Sequence, residues 1–135
     1  MFSKHYVRIK DQKLNEAEFY SGGGMAGGYY RRTVKRQGDC AVIYTEKAEM
    51  HNEEPVQSEV IVDATILDEI EKVIIKHRMN SWNNKKFTDM FVADGESRGY
   101  SFSFEKSTIR FSSQIYPEEY REKLREIEEI IKKYS

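Results

Sequence analysis

Between Tyr100 and Phe111 the large apolar residues keep to every second position. Tyr100, Phe102 and Phe104 alternate with serines, and Ile109 and Phe111 resume the pattern after Glu105-Lys106. Strict alternation marks a strand with one face in a core and the other in water. A connecting loop of either two or four residues keeps all five side chains on one side, so the segment predicts a hairpin with a single apolar face. Such a face must be laid against another layer.

The chain supplies that layer twice. Ile66, Leu67, Ile70, Val73, Ile74 and His77 recur at helical spacing behind Asp63 or Thr65, either of which can cap a helix. A second helix opens at Pro117, a good first helical residue, with Glu118 and Glu119 in its first turn. Its apolar stripe is Tyr120, Leu124, Ile127, Ile131 and Tyr134, and Lys132 and Lys133 suit its C-terminal end.

Upstream, Tyr29 to Arg36 and Cys40 to Lys47 read as a hairpin across Gly38-Asp39, with glycine where a type II′ turn needs it. That register puts Tyr30, Arg32 and Val34 on one face with Ala41, Ile43 and Thr45. The other face carries Tyr29, Arg31, Thr33 and Lys35 with Val42, Tyr44 and Glu46. A three-residue turn through Gln37 would exchange the partners. Val56, Val60 and Val62 alternate with polar residues and predict a further strand, Phe91-Val92-Ala93 a short one, and Glu16 to Tyr20 another at the start. Trp82, Phe87 and Met90 punctuate a polar stretch and read as anchors of a loop.

The expected fold is therefore α+β. It is one compact domain over residues 1–135, a mainly antiparallel sheet of about six to seven strands in the order βββα-βββα after an uncertain N-terminal strand, with both helices on one face. At 39% apolar residues the chain can fill such a core, and no run approaches the ~18 consecutive apolar residues of a spanning helix. The opening residues, Met1 to Tyr6, lack the apolar core of a signal peptide, so the default compartment is the cytoplasm and no membrane contact is expected.

Charge is blocked along the chain although the net value is -1. Residues 1–40 hold eight basic and four acidic groups, and residues 41–75 hold two basic and nine acidic. Blocks of opposite sign this close can face each other across a sheet. The strongly basic footprint of a nucleic-acid protein is absent at the level of the whole chain.

No motif carries chemistry. Gly22 to Gly28 contains five glycines in seven positions but lacks the Lys-Ser or Lys-Thr of a phosphate loop, and it leads into a strand where a dinucleotide fingerprint would open a helix. It reads as a bulge or a hairpin tip. The lone Cys40 has no neighbouring base and reads as a small core residue. His5, His51 and His77 are not at metal-ligand spacings. Asp89, Asp94 and Glu96 cluster about an Asp94-Gly95 turn, where acids commonly bond the backbone, although paired carboxylates can also do acid–base work. No catalytic residue, cofactor or metal is expected.

What remains is Tyr29-Tyr30-Arg31-Arg32-Thr33-Val34-Lys35-Arg36. If two helices cover one face of the sheet, the other is left amphipathic and rich in Tyr and Arg, as partner-binding surfaces are. The leading expectation is a small binding module using Tyr29, Arg31, Arg32, Thr33 and Tyr44, with a protein partner or a weak homodimer on the open face. The alternatives are nucleic-acid or anionic-ligand binding through Tyr29, Arg31, Arg32 and Lys35, and a hydrolase-like enzyme using the acids of the Asp89–Glu96 region.

Overall fold

A computed structural model describes residues 4–22, 27–50, 54–87 and 95–135. Its strands are β1 (Leu14–Gly22), β2 (Gly27–Gln37), β3 (Cys40–Met50), β4 (Val56–Asp63), β5 (Ser97–Phe104) and β6 (Thr108–Ser113). Two helices, α1 (Thr65–Lys76) and α2 (Glu118–Tyr134), complete the α+β fold. The six strands form one antiparallel sheet in the order β4-β3-β2-β1-β5-β6. A meander runs from β1 outward to β4, and α1 then carries the chain back across one face so that β5 can pair with the other side of β1.

The turns follow the chemistry of their residues. Gln37 pairs with Cys40 around Gly38-Asp39, and Gly38 takes the positive φ of 62° that the first central position of a type II′ turn requires. That confirms the two-residue register, so Val34 lies opposite Ile43 and Thr33 opposite Tyr44. Of the glycine run, Gly22 ends β1 and Gly27 and Gly28 open β2. A Cβ on Gly28 would sit 2.2 Å from the carbonyl oxygen of Glu49, so the strands approach there only because no side chain intervenes.

Alternation sorts the side chains into two faces. Ala17, Val34, Ala41, Ile43, Phe102, Phe104, Ile109 and Phe111 are buried in one core with Ile66, Leu67, Ile70 and Ile74 of α1 and Leu124, Ile127 and Ile131 of α2. All five apolar residues of the β5–β6 hairpin are buried; Ser103 pairs with Thr108, and the Phe104 N–H bonds the Ser107 carbonyl at 2.7 Å across Glu105-Lys106. Two helix starts differ by a residue from the expected ones. Asp63 accepts the N–H of Thr65 at 2.9 Å from outside the N-cap position, which Ala64 holds, and Pro117 precedes the first turn of α2 rather than opening it. The expected strand at 91–93, Asp89 and Asp94 lie outside the described residues.

Trp82 is the expected anchor. Its ring meets Phe87, Phe111 and Tyr120 at 5.8, 5.5 and 5.0 Å, all edge to face. The loop it holds lies along the outer edge of β6, where the N–H of Asn84 bonds the carbonyl of Arg110 at 2.7 Å and Asn83 Oδ1 accepts the Arg110 N–H at 2.8 Å. The β6 edge is thereby engaged at Arg110.

Candidate functional site

Among the described residues no helix covers the second face of the sheet. Because β2 and β3 alternate in register, Tyr29, Arg31, Thr33 and Lys35 stand on it beside Tyr44 and Glu46. The β1 pairing adds Glu16, Glu18 and Tyr20 from the adjacent strand, since Glu16 faces Lys35, Glu18 faces Thr33 and Tyr20 faces Arg31.

These side chains form one connected cluster. Both Tyr29 and Tyr44 donate their hydroxyls to the carboxylate of Glu46, the latter at 3.1 Å. The rings of Tyr20 and Tyr29 stack with centroids 6.4 Å apart and planes 17° from parallel. The Arg31 guanidinium lies over the Tyr20 ring at 5.6 Å, while its Nε is 3.3 Å from Glu18 Oε1. The two phenol bonds hold the Glu46 carboxyl below the usual carboxylate range, with Arg31 assisting. The bond to that carboxylate pushes the Tyr29 hydroxyl up, and partial burial followed by the Glu46 bond does the same for Tyr44. Glu46 is therefore a fixed anion that clamps two neutral tyrosines upright on the sheet.

Beside the cluster the surface drops. On β5 and β6 the same face carries Gly99, Ser101 and Ser112, so the floor is low. Tyr20 and Glu18 wall it on one side, and Asn84 and Lys85 of the β6 edge loop wall it on the other, giving an open trough of about 600 Å³.

Of the five residues singled out from sequence, Tyr29, Arg31, Thr33 and Tyr44 share this face. Arg32 projects from the opposite one, with its guanidinium 5.3 Å from the Tyr30 ring centroid and beside a recess of about 470 Å³ that Phe19, Tyr100 and Ile131 also line. Sequence reasoning missed Tyr20 and Glu18. The alternation of Glu16, Glu18 and Tyr20 about Ala17 and Phe19 was the available signal, once β1 is placed next to β2. Glu96 lies away from the cluster near Ser21, whose hydroxyl is 3.4 Å from its carboxylate. His77 meets Glu126 of α2, and His5 Nδ1 meets the carbonyl of Asn83 at 2.8 Å. Among the described residues no group of three His, Cys, Asp or Glu side chains is placed to hold a metal ion.

No protein-family model matches the chain, and no curated protein matches its sequence.

Proposed function

We propose that this protein is a binding module whose working surface is the open sheet face, and that it holds another protein there. The observation carrying the reading is the Tyr20–Tyr29–Tyr44 cluster, three phenol rings fixed on an uncovered sheet by Glu46 and Arg31. Tyrosines held in place bring apolar area and a hydroxyl to an interface with little entropy left to lose, which is why interfaces favour them.

Charge argues for protein over nucleic acid. The strand residues on this face include five acids, Glu16, Glu18, Glu46, Glu59 and Asp63, against three bases, Arg31, Lys35 and Arg110. Arg31 is moreover engaged by Glu18. A polyanion would meet a net negative surface, whereas a neutral or basic protein patch would not.

Affinity capture with the full chain as bait, beside a Tyr29→Ser/Tyr44→Ser bait, tests the reading. The expected result is a protein partner recovered by the first and lost from the second, with both baits equally folded. A partner retained equally by both would refute the assignment to this face. So would tight binding of a single-stranded oligonucleotide that weakens steeply between low and physiological salt.

A further inference from the structure

The two edges of the sheet are treated differently. On the β6 edge Asn83 and Asn84 engage both backbone groups of Arg110, but among the described residues no strand or loop pairs with the outer edge of β4. That strand also gathers exposed apolar side chains. Val56 and Ile61 are each 73% exposed and Val60 is 43% exposed, making three of the five large exposed hydrophobics among the described residues. No proline, lysine or bulge blunts it between Val56 and Asp63, although such an edge is ordinarily guarded.

The register identifies which backbone groups are free. The two-residue turn at Gly38-Asp39 makes Gln37 and Cys40 a hydrogen-bonded pair, so Cys40, Val42 and Tyr44 turn their N–H and C=O towards β2. Ala41, Ile43 and Thr45 therefore turn theirs towards β4, where they engage Val62, Val60 and Ser58. The outward groups of β4 are then those of Gln57, Glu59 and Ile61.

We propose that β4 pairs antiparallel with β4 of a second copy of this chain about a twofold axis at Val60, joining the sheets into one of twelve strands. Self-complementarity selects both the occupant and the register. Centred on Val60, Glu59 lies opposite Ile61 of the second copy, Gln57 opposite Asp63, and Val60 opposite itself, so the pairing spans 57–63 with no like charges opposed. Centred on Glu59, that carboxylate opposes itself. Centred on Ile61, Glu59 opposes Asp63, and centred on Ser58, Ile61 opposes Pro55, which has no N–H to give. A symmetric pair makes the same surface serve both partners. The inference is independent of the tyrosine cluster, and it would place two open faces side by side.

The test exploits the register. Sedimentation velocity of the full chain over a wide concentration range should show a reversible monomer–dimer equilibrium. Ile61→Glu puts two pairs of like charges opposite each other and should weaken the dimer by about tenfold or more. Ile61→Lys puts lysine opposite Glu59 of the second copy and should leave the dimer as strong as or stronger than the parent. Ile61 is so exposed that neither variant should change the fold, which circular dichroism checks. In a Cys40→Ser background, Val60→Cys should oxidise to a covalent dimer, because residues facing each other in a non-hydrogen-bonded pair lie about 4.5 Å apart, within disulfide reach. A chain that stays monomeric throughout, or a dimer that both Ile61 variants abolish alike, would overturn the proposal.

Discussion

Phe102 gives the sharpest test of how the sheet meets its helices. The side chain has no exposed surface, and its ring lies 6.2 Å from that of Phe19 and 6.0 Å from that of Phe111. Its cross-strand partners are Ala17 and Ile109. Truncating a buried Phe to Ala costs about 3–5 kcal/mol, and the amount depends on how far the surroundings can collapse into the hole. Here collapse is restricted, because β5 is paired on both sides and Ala17 is too small to swing into the space. The expected loss is therefore in the upper part of that range, about 4–5 kcal/mol, out of a total of roughly 5–15 kcal/mol for a domain of this kind. The melting temperature should drop by roughly 12–20 °C. Trp82, 4% exposed and 5.5 Å from Phe111, reports on the same cluster, so urea unfolding can be followed by its emission, blue-shifted when folded and red on unfolding. The midpoint should fall with the slope unchanged. Phe102→Leu, which refills most of the space, should lose far less. A Phe102→Ala loss below about 1 kcal/mol would refute the assignment of this hairpin face to the core.

Two further outcomes follow from particular atoms. Gly28→Ala would drive a methyl into the Glu49 carbonyl, so the β2–β3 end must part, and faster amide exchange at Tyr29 and Ala48 than in the parent is the measurement; unchanged exchange would show that the approach is not tight. Burial raises the Tyr100 hydroxyl from the ordinary 10 to about 12 and pushes Tyr116 up as well. The stability tied to the neutral Tyr100 hydroxyl is present below pH 10 and is lost as pH rises from 10 through about 12. Absorbance at 295 nm should therefore show a late phenolate step, diminished in Tyr100→Phe; complete ionisation near pH 10 with circular dichroism intact would contradict the burial.

Local patterns carried most of the fold into view. The serine-spaced aromatics of 100–111 announced the hairpin and its buried face, and Gly38-Asp39 fixed the β2–β3 register and with it the division of Tyr29, Arg31, Thr33 and Tyr44 from Arg32. Both helices were readable because their stripes are long. The place of β1 was not readable. Leu14–Gly22 is central, paired with β2 by a near turn but also with β5 some eighty residues later, and no local pattern encodes a neighbour that distant. For that reason Tyr20 and Glu18 entered the site only with the three-dimensional structure. Their alternation was visible, but its meaning depended on which strands flank it.

The division of the sheet also determines how the site can change. The aromatic core is gathered under β5, β6 and the start of α2, where Phe87, Tyr116 and Trp82 close on Phe111 and Tyr120 closes on Trp82 and Phe87. The aliphatic core lies where α1 crosses β1, β2 and β3. The tyrosine cluster stands on the reverse of that second region, held by Glu46, by Arg31 and by the stacking of Tyr20 on Tyr29. Substitutions among Tyr20, Tyr29, Arg31 and Tyr44 therefore remove contacts in a partly solvated place, worth about 1 kcal/mol or less for the ion pair and more for a bond to the Glu46 carboxylate, and leave the enclosed cavity-sensitive layer untouched. On the proposed function, binding through this face can be rewritten residue by residue without opening the core, because the tyrosine cluster and the enclosed core lie on opposite sides of the same strands.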